Sequence, residues 1–167
     1  MSAHEMMIKT LEARTLNESE SNSLDICASV EIQAEVQRIL YALSTPEYME
    51  AWLQLPGAER VACHSEQRSF NRFRIDMFSS NTQLRSIYGS CLLSKPNRVT
   101  FLLERTCVGI RPWSVVVIHI LGGPNRRVVK LKHRGLTNKE DRDWHSTMWQ
   151  LSLNKLRILM ELIESTK

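Results

Sequence analysis

The feature that most constrains this chain is a hydrophobic period that changes along its length. From Ala58 to Arg134 apolar residues recur at every second position in six runs: "AERVACH", "FNRFRIDMF", "LRSIYGSCLL", "RVTFLLER", "WSVVVIHIL" and "RVVKLKHR". Alternation of this kind is the signature of half-buried strands. The separators "SSNT", "SKPN", "GIRP" and "GGPN" hold turn-forming residues. Loops this short join neighbouring strands antiparallel, so the six runs predict a meander. Beyond it the period lengthens. The stretch "TNKEDRDWHSTMWQLSLNKLRILMELIEST" places Trp149, Leu153, Leu156, Met160 and Ile163 on one helical stripe, with Thr137 and Glu140 as a capping box.

Ahead of the meander, "ICASVEI" alternates, with Ile26, Ala28, Val30 and Ile32 on one face. "AEVQRILYAL" sets Val36, Ile39, Leu40 and Leu43 at helical spacing. A second short helix follows in "LSTPEYMEAW". Either Pro46 takes its first position with Thr45 as cap, or Ser44 and Glu47 form a capping box. Tyr48 and Trp52 lie four apart and are expected to share a face with Ala51 and Leu55. Residues 1–23 read as an arm, with a helical piece "HEMMIKTLEAR" and a polar linker "TLNESESNS"; residues 24–167 read as one domain.

With 167 residues, the chain suits a single domain with a real core. Its 43% hydrophobic and 24% charged residues exclude wholesale disorder. No apolar run reaches the roughly 18 residues of a membrane span, and no basic n-region precedes an apolar core as in a secretory signal. The four cysteines are scattered without a CxxC, which fits a reducing cytoplasm better than a disulfide framework or a zinc ribbon. A net charge of +4 falls short of a nucleic-acid binder.

The order of strand, two short helices, six strands and one long helix resembles the helix-grip domain of the START-like (SRPBCC) superfamily. More narrowly, the chain is similar to the family named after the activator of the heat-shock-protein-90 ATPase. The residues that carry the likeness are "VEIQAEVQRILYALSTPEYMEAWL", "SKPNRVTF" and "LKHRGL", with Trp149 and "LRILME" further on, so it spans about Ile26 to Glu164. Where that family often has a Gly-Gly pair opening the third strand, this chain reads "SFNRF". The resemblance implies an α+β fold in which a curved antiparallel sheet wraps the long C-terminal helix and two short helices close one end. It also implies an apolar cavity between sheet and helix.

On that frame, Phe73, Ile75, Phe101, Leu103, Leu131, Met148, Trp149 and Ser152 are the expected lining, with Tyr48 and Trp52 at the closing end as core or lid. Strand parity puts His133 on the apolar face with Val129 and Leu131, and turns Arg105 inward with Phe101 and Leu103. An imidazole and a guanidinium there can hydrogen-bond the polar end of a ligand, such as a carboxylate. Alternatively, His133 bonds a carbonyl or the long helix and Arg105 escapes to solvent. "WSVVVIHIL" is apolar on both faces, so the direction of His119 stays open, and the strand needs cover from the arm or from a second subunit in a homodimer.

Asp141 and His145, four apart, offer a carboxylate–imidazole pair. No Ser or Cys is placed as a nucleophile, no motif has metal-ligand spacing, and no phosphate loop appears, so neither catalytic residues nor a metal or other cofactor is expected. Arg72, Arg74, Lys130, Lys132 and Arg134 share outward parities, with Arg126 and Arg127 at a turn. Should their strands be neighbours, they form a basic patch for an acidic protein; without interleaved aromatics, nucleic acid is not expected. The leading reading is a protein that binds an apolar or amphipathic small molecule. A co-chaperone-like interaction module, or a cyclase- or hydrolase-type enzyme using His133 or His145, are the alternatives.

Overall fold

A computed structural model of the chain describes residues 24–65, 72–104, 113–123 and 126–164. The arm, Arg105 and Cys107 therefore lie outside the described residues. Strand β1 spans Ile26–Ile32, followed by helices α1 (Val36–Ser44) and α2 (Pro46–Trp52). Strands β2 (Arg60–Ser65), β3 (Arg72–Ser79), β4 (Thr82–Lys95), β5 (Arg98–Glu104), β6 (Trp113–Gly123) and β7 (Arg126–Arg134) come next, and α3 (Lys139–Glu164) ends the fold. Among the described residues, every strand and helix expected from periodicity is present.

The seven strands form one curled antiparallel sheet in the order β1-β7-β6-β5-β4-β3-β2. Consecutive strands pair from β2 to β7, and β1 joins at the far edge against β7, with Ile26 opposite His133 and Ile32 opposite Arg127. Helix α3 lies in the concave face, and α1 and α2 close one end. The expected stripe of α3 is the packed one: Trp149, Leu153, Leu156 and Met160 are buried against Ile26, Val116, Ile118, Val129 and Leu131 of the sheet.

The caps are more specific than the sequence suggested. At the start of α3, which begins at Lys139, Asn138 Oδ1 accepts from the Asp141 N–H at 2.8 Å, one residue on from the expected Thr137. At α2 the Thr45–Pro46 alternative holds. Ser44 instead donates to the Leu40 carbonyl one turn back, so it belongs to the end of α1. The seven-residue α2 turns Met49 and Trp52 inward and leaves Ala51 exposed. Tyr48 is therefore at the rim, and the expected shared face of Tyr48, Ala51 and Trp52 is corrected.

The sheet also settles the parity questions. Val129, Leu131 and His133 all face the core, while Lys130 is exposed. His119 pairs with Arg98 and Lys130 in register and lies on the convex face, since Val116, Ile118 and Ile120 take the concave one. The basic residues divide. Arg72 and Arg74 on β3 stand four strand steps from Lys130, Lys132 and Arg134 on β7. Arg72 bonds Glu104 at 2.7 Å, Arg74 bonds Asp76 at 3.1 Å, and Arg134 pairs with Asp25 at 3.2 Å. The single basic patch expected from parity is therefore two separate regions, because β4, β5 and β6 come between.

Candidate functional site

The sheet curls because each strand is rotated against its neighbour, and a curled sheet leaves space above its middle strands wherever a helix spans it. Here the space lies between β3, β4 and β5 below and α2 and α3 above. Phe73, Ile75, Ile87, Phe101 and Leu103 form its floor. Met49, Trp52, Leu53 and Leu55 close one side, and His145, Met148 and Trp149 descend from α3. The void is about 20 Å³, within a partly open recess of about 400 Å³ counted out to solvent. The smaller figure is what a guest meets before any side chain moves, and it holds about one water molecule.

The floor is built closely. Phe73 and Phe101 meet edge to face with centroids 5.9 Å apart. The Phe73 ring lies over Gly89, its register partner; a Cβ there would stand 2.6 Å from Phe73 Cζ and 2.6 Å from the Leu102 carbonyl oxygen. Trp52 is fully buried and its indole Nε1 donates to the Ala42 carbonyl at 2.8 Å, which ties α2 to α1. Tyr48 stays 37% exposed and meets Tyr41 edge to face at 5.2 Å, outside the cavity wall.

Behind the wall runs a polar chain. Trp149 Nε1 donates to His133 Nδ1 at 3.1 Å, and His133 Nε2 lies 2.9 Å from Ser114 Oγ. An indole nitrogen can only donate, so Nδ1 is the acceptor and the neutral ring carries its proton on Nε2, toward Ser114. Both nitrogens of His133 are thus engaged within the fold, and the ring is wholly buried. It is not on the cavity wall, and neither is Leu131. Ser152 is also structural: its hydroxyl accepts from the Gln54 N–H at 2.9 Å and donates to the Gln54 carbonyl at 3.3 Å, fastening α3 to the segment after α2.

The polar side chain on the wall is His145. Its Nδ1 is 2.8 Å from the Asp141 carbonyl one turn back, which fixes the proton on Nδ1 and makes Nε2 the ring's acceptor. The Asp141 carboxylate itself accepts from Asn138 Nδ2 at 3.0 Å. The ring stands edge to face with both His133 and Trp144, each at 4.9 Å. Its neighbours on the wall present no hydroxyl, thiol or carboxylate, so this site is suited to holding a molecule rather than attacking one.

Met49, Leu53, Leu55, Ile87 and His145 are wall residues that sequence reasoning missed. The one available signal for His145 was its position one turn before Trp149 on the buried stripe. Burial pushes the Cys63 and Cys91 thiols up to about 12, so neither is a poised nucleophile. Among the described residues no group of His, Cys, Asp and Glu is arranged to hold a metal, and no helix is long and apolar enough to cross a membrane.

No family model and no curated protein matches the sequence. Solved structures do match the fold. A START superfamily protein from Mycobacterium smegmatis aligns with 13% identity over 83% of this chain and 98% of its own, at a TM-score of 0.62. Protein CV1439 from Chromobacterium violaceum aligns with 15% identity over 82% and 97%, at 0.64. The Aha1 dimer from Colwellia psychrerythraea aligns with 14% identity over 82% and 96%, at 0.60. At these identities the likeness is one of fold, and the fold is the START-like helix grip.

Proposed function

We propose that this START-like chain binds a small apolar or amphipathic molecule between its sheet and its C-terminal helix. The observation that carries the reading is the apolar wall with one imidazole set into it. The apolar part of the guest lies on Phe73, Phe101 and Trp149, and its polar end hydrogen-bonds His145. His133 holds Trp149 in place from behind, and Arg105, near the end of β5, supplies a second polar contact. Because the void is near 20 Å³, binding requires movement, and Met49 and Met148 are the adaptable side chains to provide it. The three described cysteines are free thiols, which suits a cytoplasmic setting.

The same small void favours a second reading, a protein-interaction module with a filled core. Native mass spectrometry of the purified chain, with thermal shifts against fatty acids and aromatic acids, separates the two. Ligand binding predicts a co-purified or added guest whose stabilisation is lost in His145→Leu for guests that donate a hydroxyl or carboxyl proton to Nε2 and kept for apolar analogues. A bare mass and a flat panel would leave the interaction reading in place.

A further inference from the structure

Strand β5 is buried on both faces. Its concave residues Val99, Phe101 and Leu103 belong to the core shared with the helices. Its convex residues are equally hidden: Thr100 and Leu102 are each 1% exposed and Arg98 is 7% exposed. Beside them on the same convex face, Val115 of β6 is 5% exposed and Ser90 of β4 is 2% exposed. Leu102 and Val115 are buried yet stand apart from the core cluster that unites the three helices with the concave face. No described helix lies on their side. The Thr100 hydroxyl is buried with them.

We propose that residues 1–23 of this same chain form that cover, with Met7, Ile8 and Leu11 set on Leu102 and Val115. The point of departure supports it. Asp25 pairs with Arg134, Arg134 is the register partner of Val115, and Val115 is that of Leu102. The arm thus leaves the sheet at the end of the row to be covered, and β5 is three strand steps away, about 14 Å. Eleven residues in a helix span about 16 Å. Met7 and Leu11, at i and i+4, and Ile8 and Leu11, at i and i+3, give one apolar face.

Length and charge point the same way. The convex face of β5 from Arg98 to Glu104 is about 20 Å long. The eight residues 105–112 must leave β5 and return to β6, so they reach about 14 Å at most. The 23 residues ahead of Leu24 are long enough to cover the whole strip. The arm has four acidic residues (Glu5, Glu12, Glu18, Glu20) against Lys9 and Arg14. The strip it would cross is flanked on the β7 side by Lys130 and Lys132.

The test uses the full chain with a photo-crosslinking amino acid at position 8. Expected is an intramolecular cross-link to peptides from 98–104 or 113–121. A cross-link only between chains would overturn the proposal in favour of a second copy. In parallel, Thr100→Cys is labelled with a maleimide and read site by site by mass spectrometry. Adding Ile8→Glu and Leu11→Glu should speed labelling roughly tenfold or more while the cooperative melt persists. Unchanged protection in a folded triple variant would sink the idea and assign the cover to residues 105–112. Should the triple variant fail to fold, the cross-link alone decides.

Discussion

Trp149 and His133 are joined by a hydrogen bond from indole Nε1 to imidazole Nδ1 at 3.1 Å, and that bond decides which nitrogen of His133 faces Ser114. Trp149→Phe keeps the ring and removes the donor, leaving a buried acceptor unmatched. Stability should fall by about 1–3 kcal/mol in urea unfolding. Nitrogen chemical shifts should show the His133 proton on Nε2 in the parent chain. A proton found on Nδ1 would contradict the assigned chain of hydrogen bonds.

Met148→Ala should enlarge the void and destabilise the chain by about 2–5 kcal/mol. The enlarged space is lined by apolar groups, so it should take up benzene or xenon, which would then raise the melting temperature of the variant more than that of the parent. Equal responses in both chains would mean that the space collapses.

Gly89→Ala should be severe for its size. The added methyl meets the backbone oxygen of Leu102, which has no room to yield, as well as the Phe73 ring. A loss of about 1–3 kcal/mol or more is expected. Gly123→Ala, where nothing lies within 4 Å, is the matched control and should be near neutral. Trimming the ring with Phe73→Leu should relieve only part of the damage.

Burial holds the Cys63 and Cys91 thiols near 12 against an ordinary 9.0, with the Glu50 and Asp76 carboxylates adding to the effect at Cys63. The folded chain keeps protons that the unfolded chain releases. Stability from these neutral thiols is therefore full below pH 9 and is lost as pH rises from 9 toward 12. Cys91→Ala should flatten the alkaline limb of the unfolding curve. Thiol reagents should modify the exposed Cys27 long before Cys63.

On the convex face, Asp76 is 4% exposed in its side chain and serves Arg74, Gln83, Ser86 at 2.6 Å and His64 at 3.2 Å. Asp76→Ala leaves those donors without their acceptor; Arg74 and His64 are 42% and 48% exposed and turn to water, so the loss should be about 1–3 kcal/mol. Asp143→Ala removes a carboxylate that is 44% exposed, and should leave the unfolding curve nearly unchanged in the same assay.

The fold was legible because its signals are local. Alternation at Val99 to Leu103 and the stripe from Trp149 to Met160 each follow from the geometry of one element. Parity likewise put His133 on the core face. What parity cannot supply is the lateral order of strands. Arg72 and Lys130 have the same outward sense, yet three strands separate theirs, and only the assembled sheet shows it. The site was half legible for a related reason. Trp52, Met148 and Phe101 were visible as apolar groups, whereas the difference between His133 behind the wall and His145 on it rests on a ring orientation set by Trp149 and by the Asp141 carbonyl.

The place of β1 beside β7 also sets a timetable. Ile26 and His133 are partners separated by about a hundred residues, whereas each later strand meets its neighbour across a short connection. At a synthesis rate of about 5–20 residues per second, β1 waits roughly 5–20 s for the strand that completes it. Through that interval Ile26, Val30 and Ile32 remain without the sheet that buries them. Among the described strands the first made is paired only when the last is finished, so it is the strand most exposed to wrong partners during synthesis.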